Sequence, residues 1–155
     1  MKKISGSNKR VLLVINPKAG MIKSMTTLSD ILDVFGENGY ETMPFSTKGK
    51  NDATEIVKKN AKNHDIVVCC GGDGTLNEVI EGVMSLEAPL PIGYIPTGTS
   101  NDFATSLGLS TRAVQAARDI VGGKLLPHDV GSFNDNHYFS YVASFGTMSD
   151  ISYLT

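Results

Sequence analysis

The sequence predicts an α/β fold, in which a parallel sheet carries helices on both faces. Short apolar runs alternate with longer stretches whose apolar residues recur every three or four positions, a pattern typical of β-α units on a parallel sheet. Two of the runs, residues 10–15 and 65–70, are almost continuously apolar, as strands buried on both faces are. A polar or glycine-rich turn follows each run, and open α/β sheets bind their ligands at that end of the strands.

The N-terminal part of the chain supplies the first half of this predicted sheet. After the first strand, apolar residues recur at helical spacing over residues 25–35, and Gly39 is expected to end that helix. Residues 40–46 predict a more polar strand, which we expect nearer an edge of the sheet. A short amphipathic helix follows and is opened by Asn51 or Asp52.

The second half of the predicted sheet begins with the strongest strand, at 65–70. An apolar stripe over residues 76–84 predicts a helix directly after the turn that follows this strand. Residues 91–95 predict a fourth strand, again followed by a polar turn. We expect a further helix to be capped by Ser110 or Thr111 and to end at a pair of glycines.

The alternation of strands and helices stops after Gly123. Residues 125–130 and 138–144 predict two strands around a turn at 134–136, which is a hairpin pattern. We therefore expect a flexible tail over residues 1–9, an α/β domain over 10–123, and the start of a truncated, β-rich domain over 124–155.

Composition and charge exclude several classes of protein. An apolar share of 41% and a charged share of 19% indicate a globular protein and not a disordered one. The formal net charge of −2 argues against a nucleic-acid partner, which usually requires a basic face. No apolar run approaches the roughly 18 residues of a membrane span, and no signal peptide is evident, so we expect a cytoplasmic protein. The adjacent Cys69 and Cys70 are expected to be reduced and buried in a strand.

The turn Gly71-Gly72-Asp73-Gly74-Thr75 lies between the strongest strand and the strongest helix. Glycines there let the backbone approach a phosphate closely, and the N-terminus of the following helix offers free N–H groups to the anion. The Asp73 carboxylate would repel phosphate unless a cation lay between them, and Mg²⁺ accepts oxygen ligands from both. The turn therefore predicts a site for a Mg²⁺-nucleotide with Asp73 as a metal ligand. A glycine turn used only for chain reversal is the alternative.

Two common nucleotide-binding signatures do not fit this turn. The dinucleotide pattern GxGxxG, started at Gly72, would need a glycine where Asn77 stands. Lys23 and Ser24 could supply the basic and hydroxyl residues of a P-loop, but both glycines of that motif are missing. The chain is therefore neither a typical dehydrogenase nor a P-loop NTPase.

Two further polar turns follow predicted strands and reach the same edge of the sheet. The sequence NPKAG occupies residues 16–20, and PTGTSNDFA occupies residues 96–104. In the second turn, Thr99, Asn101 and Asp102 place a hydroxyl, an amide and a carboxylate close together. Chain reversal or helix capping explains parts of either turn, but three polar turns on one edge favour a shared phosphate site.

These three motifs and their spacing make the chain similar to the diacylglycerol kinase catalytic-domain family of lipid kinases, from about Arg10 to its end. GGDGT is shared with NAD kinases, whereas the NDFA element points to lipid kinases. The resemblance implies a Rossmann-like nucleotide domain of the NAD kinase and diacylglycerol kinase type. It also implies that the chain ends in the first hairpin of a β-rich, lipid-binding domain.

The resemblance further implies which residues serve the nucleotide. Asp73 would act in catalysis with Mg²⁺ and ATP, and Asp102 would support the active-site network. In bacterial members the proton acceptor and a structural Mg²⁺ site belong to the second domain, beyond Thr155. The residues implied to contact ATP are Asn16, Pro17, Lys18, Ala19, Gly20, Thr47, Gly72, Asp73, Gly74, Thr75, Leu76, Asn77, Glu78 and Thr99.

Two positions depart from the family pattern. Met21 stands where some relatives carry lysine, so that Lys18 or Lys23 would substitute for it. Thr105 stands where many relatives carry arginine. Neither change removes a residue of the three nucleotide motifs.

The implied reaction transfers the ATP γ-phosphoryl group to a lipid hydroxyl, for example converting diacylglycerol into phosphatidic acid. The implied partners are ATP, a lipid substrate and, during turnover, the membrane surface; this chain alone is expected to be inactive. Assembly into a homo-oligomer stays open. The alternatives are another GGDGT kinase, such as an NAD kinase, and a non-catalytic nucleotide-binding module.

Overall fold

The computed structural model describes residues 9–20, 25–133 and 137–140. Its main sheet consists of four strands, β1 (Lys9–Ile15), β2 (Tyr40–Ser46), β3 (Ile66–Gly71) and β4 (Ile92–Pro96). All neighbouring strands are parallel, and their order is β2-β1-β3-β4. This arrangement confirms the predicted α/β class and the position of the polar strand β2 at an edge.

Five helices connect and cover the strands in the described part of the chain. They are α1 (Met25–Glu37), α2 (Asp52–Asn60), α3 (Asp73–Met84), α4 (Asp102–Ser106) and α5 (Ala113–Gly122), with a 3-10 turn at Ala61–Asn63. Helices α1 and α5 lie on one face of the sheet, and α2 and α3 lie on the other. None of these helices combines the length and apolar character needed to cross a bilayer.

Alternate residues of the central strands enter two separate apolar layers. In β1, Leu12 and Val14 pack towards α2 and α3, whereas Leu13 and Ile15 pack towards α1 and α5. This alternation follows from the two-residue period of a strand. Because both faces are covered, β1 must be apolar at consecutive positions, and the side chains of residues 11–15 are all buried.

Two helix starts test the capping predictions. Asn51 precedes α2, as predicted, and takes a left-handed conformation with φ of 64°. The prediction that Ser110 or Thr111 caps the last helix is wrong, because α5 starts at Ala113 after Arg112. The Ser110 hydroxyl instead accepts a hydrogen bond from the Arg112 N–H at 3.2 Å, in the turn ahead of the helix.

A small antiparallel hairpin follows the α/β unit. It pairs β5 (Gly131–Phe133) with β6 (His137–Phe139). The predicted strand at 125–130 is wrong: this segment has no regular structure, and Leu125 and Leu126 are 76% and 83% exposed. Pro127 explains part of the difference, since proline cannot donate a hydrogen bond to a sheet. The predicted turn at 134–136 lies outside the described residues.

Candidate functional site

A cleft of about 430 Å³ opens at the edge of the sheet where the parallel strands end. The turns after β1, β2, β3 and β4 all contribute to its walls. The lining residues are Asn16, Lys18, Ala19, Thr47, Lys48, Gly49, Lys50, Gly72, Gly74, Thr75, Glu78 and Gly98. The three motifs that the sequence predicted to share one edge therefore lie around a single cleft.

Asn16 joins the turns after β1 and β3. Its backbone N–H donates to the Cys70 carbonyl at 2.9 Å, and its Nδ2 donates to Thr75 Oγ1 at 3.0 Å. Its Oδ1 accepts from the backbone N–H of Lys18 at 3.0 Å. The Asn16 side chain thus fixes the geometry of two turns in the cleft wall.

Glycines allow the turns after β3 and β4 to touch. A Cβ on Gly98 would lie 2.6 Å from the Cα of Gly72, and a Cβ on Gly71 would lie 2.7 Å from the Cβ of Thr75. Gly74 differs from these residues, since a Cβ there would meet no atom within 4 Å. Gly74 lines the cleft at the N-terminus of α3, so its missing side chain leaves room for a bound group.

The turn after β4 is shaped by Asn101. This residue is 5% exposed and left-handed, with φ of 53°. Its Oδ1 accepts from the Gly98 N–H, and its Nδ2 donates to the Gly98 carbonyl, both at 2.9 Å. Thr99, next to Gly98, is exposed and does not line the cleft.

Asp73 connects the glycine turn to α4. Its Oδ2 accepts from the backbone N–H of Asp102 at 2.9 Å, and its Oδ1 accepts from that of Phe103 at 3.2 Å. The carboxylate therefore occupies the N-terminus of α4 and orients the NDFA segment. The Asp102 residue itself is exposed, and its contact with Asp73 is made through its backbone N–H.

Glu78, one turn further along α3, plays the same role for α2. Its Oε1 accepts from the Asn51 N–H at 2.8 Å, and its Oε2 accepts from the Ala53 N–H at 3.2 Å. The hydroxyl of Thr54 donates to the Glu78 carbonyl at 2.8 Å. Glu78 thereby anchors the segment after β2 against the helix that follows the glycine turn.

Three lysines make the cleft cationic. Lys18, Lys48 and Lys50 line it, and within the described ranges none of them forms an ion pair with a carboxylate. Glu78 is the one acidic residue of the lining, and backbone N–H groups already bind both of its oxygens. The motifs identified Lys18, but sequence reasoning did not select Lys48 and Lys50; the signal for them was the basic KGK sequence directly after Thr47.

Other residues implied to contact the nucleotide lie outside the cleft lining. Leu76 is buried in the core with 1% exposure, and Asn77 binds Ser140 beside the hairpin. Pro17 and Gly20 are exposed in the turn after β1 but are not among the lining residues. Lys23, the suggested substitute for the missing family lysine, falls outside the described residues.

The cysteines and the tyrosine beneath the cleft are protonated, non-reactive groups at neutral pH. Burial raises the pKa of the Cys70 thiol to about 12, and burial also raises the pKa of Cys69. Burial, with the nearby Asp73 charge, raises the pKa of Tyr94. The chemistry of the site therefore rests on backbone N–H groups, lysines and carboxylates.

The fold and the cleft define an α/β domain with a lysine-lined cleft at the carboxyl ends of its parallel strands, the place where such domains bind anionic ligands. The model of the family "Diacylglycerol kinase catalytic domain" matches residues 10–133. This chain belongs to that family.

Curated relatives and solved structures agree with this assignment. The diacylglycerol kinase of Bacillus subtilis is 35% identical over 94% of this chain and 48% of its own length. That of Staphylococcus saprophyticus is 36% identical over 95% of this chain and 48% of its own length. A diacylglycerol kinase crystal structure from Bacillus anthracis superposes with a TM-score of 0.77 at 33% identity, covering 86% of this chain and 46% of the other. The chain thus spans about half the length of the relatives it matches.

Proposed function

We propose that this chain is the nucleotide-binding part of an ATP-dependent lipid kinase, which transfers the γ-phosphoryl group of ATP to the hydroxyl of a lipid. Diacylglycerol is the first substrate to test, with phosphatidic acid as its product. Family membership supports the reaction class. The observation that carries the proposal is the cleft that Lys18, Lys48 and Lys50 line together with the first residues of α3.

Phosphate binding in this cleft would use groups that are already oriented. The N-terminus of the 12-residue helix α3 presents unpaired N–H groups and a partial positive charge. Gly74 leaves that end of the helix open, and the three lysines add positive charge to the lining of the same cleft. Since the contacts of Asn16 and Glu78 fix the surrounding turns, the site needs little rearrangement to bind a triphosphate, which favours catalysis by positioning.

Asp73 stands between Gly72 and Gly74, which line the cleft, and it could hold Mg²⁺ although it is not itself a lining residue. Each of its oxygens accepts one N–H, and a carboxylate oxygen has a second lone pair for a metal. The described residues contain no cluster of three or more potential metal ligands, so the donor set suits a Mg²⁺ that brings phosphate and water ligands with it. When bound, Mg²⁺ would neutralise phosphate charge near the transferred group.

The acceptor hydroxyl must lose a proton during the transfer, and among the residues that the structure describes the cleft lining offers no carboxylate without hydrogen-bond partners. Glu78 is the acidic residue of the lining, and its two oxygens hold Asn51 and Ala53. We therefore place the proton acceptor and most of the lipid contacts in a part of the protein that corresponds to the other half of the relatives. Such an enzyme would contact the membrane surface during turnover.

Calorimetry with Mg²⁺-ATP and a radiolabel transfer assay test the proposal in two stages. We expect the chain to bind Mg²⁺-ATP, and the full-length gene product to label diacylglycerol in mixed vesicles but not NAD. Labelling of NAD without labelling of diacylglycerol would show that the protein is a nucleotide kinase and not a lipid kinase. Absence of ATP binding by a folded sample would contradict the nucleotide site itself.

A further inference from the structure

Helix α3 faces the cleft with one set of residues and contacts the hairpin with another. Gly74, Thr75 and Glu78 line the cleft. Asn77 and Glu81, which are one turn apart, instead contact the hairpin region. Because successive residues of an α-helix are rotated by about 100°, Asn77 and its neighbour Glu78 serve different surroundings. The family resemblance treats them alike, as contacts of the nucleotide.

The contacts of Asn77 are made to Ser140, which directly follows β6. Asn77 Oδ1 accepts from the Ser140 hydroxyl at 3.1 Å and from the Ser140 backbone N–H at 3.4 Å, in a partly buried position. The Ser140 carbonyl lies 3.2 Å from Nε2 of His128. The His128 ring in turn packs edge-on against Phe103, with 5.1 Å between ring centroids. Ser140 is therefore held through its hydroxyl, its N–H and its carbonyl.

Apolar packing brings the same hairpin onto the nucleotide domain. Val130, before β5, and Tyr138, within β6, pack against the core layer between the sheet and helices α2 and α3. The ion pair between His137 and Glu81 adds little, because its side chains are 71% and 32% exposed and its atoms lie 3.4 Å apart. The polar contact that fixes the end of β6 on α3 is thus the one made by Asn77.

We propose that Asn77 is a positioning residue that docks the end of the β5–β6 hairpin onto α3, and that it is not a contact of the nucleotide. Helix α3 would then carry the phosphate turn at its N-terminus and the start of the lipid-handling part on another face. A kinetic consequence follows, which rests on the proposed function. Loosening this contact should slow phosphoryl transfer while leaving ATP binding unchanged.

Asn77→Asp and Asn77→Ala separate the two roles. The aspartate keeps an oxygen that can accept from both Ser140 donors, whereas alanine removes it. If Asn77 docks the hairpin, hydrogen exchange at the Ser140 amide should accelerate at least about tenfold in Asn77→Ala and stay within about threefold of wild type in Asn77→Asp. If Asn77 touches phosphate, Asn77→Asp should weaken Mg²⁺-ATP binding more than Asn77→Ala does, because the new charge repels the ligand.

The measurements are amide exchange by NMR and calorimetry with Mg²⁺-ATP on this chain, with Glu81→Gln as the control on the same face of α3. We expect Kd for Mg²⁺-ATP to change by less than about threefold in every variant, and Glu81→Gln to leave Ser140 exchange near that of wild type. Unchanged Ser140 exchange in Asn77→Ala, or a tenfold loss of ATP affinity in either Asn77 variant, would overturn the proposal.

The full-length gene product supplies the kinetic readout. We expect Asn77→Ala to lower kcat about tenfold with KM for ATP unchanged, and Asn77→Asp to restore most of kcat. A rise in KM for ATP without loss of kcat would contradict the positioning role. If the wild-type protein has no lipid kinase activity, the proposed function fails, while the exchange experiment still decides whether Asn77 holds the hairpin.

Discussion

At the scale of the residue, the two acidic side chains of residues 71–79 (GGDGTLNEV) hold the backbone of distant segments. Asp73 binds the N–H groups of Asp102 and Phe103, and Glu78 binds those of Asn51 and Ala53. Each carboxylate is thereby offset by N–H dipoles, which form strong hydrogen bonds with an ionised acceptor. The two carboxylates therefore do not argue against the proposed phosphate site, because they serve to fix the backbone turns around it.

Asp73→Asn should reduce stability as well as activity. An amide offers one acceptor oxygen where the structure uses two, and its NH₂ group would face a backbone N–H. We expect the free energy of unfolding to fall by about 1–2 kcal/mol, measured by urea denaturation. Asp102→Asn is the matched control, because the exposed Asp102 is bound through its N–H and not through its carboxylate. Equal stability of Asp73→Asn and wild type would show that the carboxylate contacts contribute nothing.

The adjacent cysteines should resist modification in the native protein. Cys69 and Cys70 have no exposed surface, and burial raises both pKa values, that of Cys70 to about 12. Above the ordinary thiol pKa of about 8.5, these cysteines ionise in the unfolded chain but stay protonated in the folded one. Their contribution to the free energy of unfolding is therefore fully present below that pH and is lost as the pH rises towards the folded pKa. We expect no labelling by an aromatic disulfide at pH 8 until urea is added. Rapid labelling of both thiols without denaturant would contradict their burial.

At the scale of the element, the sequence predicted what periodicity and turn chemistry determine locally. The four parallel strands, the helices between them and the common edge of the three motifs follow from apolar runs, helical stripes and the geometry of parallel sheets. The contacts of Asp73 and Glu78 could not be predicted, because they join segments far apart in sequence. The prediction of a strand at 125–130 was wrong, because an apolar run forms a buried strand only where a partner strand is present to pair with it.

The turns after β3 and β4 form a second element whose packing can be tested. Gly98→Ala would place a Cβ 2.6 Å from the Cα of Gly72 and 3.1 Å from Asn101 Oδ1, which must separate the two turns. We expect a loss of about 1–3 kcal/mol in stability together with weaker Mg²⁺-ATP binding, measured by urea denaturation and calorimetry.

Gly74→Ala is the counterpart, because its Cβ would meet no atom within 4 Å. Alanine is a better helix former than glycine, so stability should be unchanged or rise by up to about 1 kcal/mol. The new methyl group would nevertheless project from a residue that lines the cleft, and we expect ATP affinity to fall. Tight ATP binding by Gly74→Ala would show that the phosphates lie elsewhere.

At the scale of the whole molecule, the cleft has a positive local charge although the net charge of the chain is negative. The chain carries 16 acidic and 14 basic residues and a net charge of −2, so long-range attraction does not bring an anion to it. The cleft is nevertheless lined by three lysines and a single carboxylate that is already hydrogen-bonded. Anion binding must therefore be local, and it must depend on where these lysines lie.

Removing the cleft lysines should weaken nucleotide binding in proportion to their number. Lys18, Lys48 and Lys50 come from two different turns, and each exposed ammonium beside a triphosphate should contribute about 0.5–1 kcal/mol, or roughly twofold to fivefold in Kd. We expect each alanine variant to raise Kd for Mg²⁺-ATP by that factor, and the triple variant to raise it by roughly one to two orders of magnitude if the contributions add. Lys58→Ala is the control, since Lys58 is paired with Glu55 on the outside of α2.

Calorimetry at two salt concentrations adds a second criterion: the salt dependence of binding should shrink with each lysine removed, because screening acts on the charges that remain. A triple variant that binds as tightly as the Lys58→Ala protein would show that backbone N–H groups alone hold the phosphates.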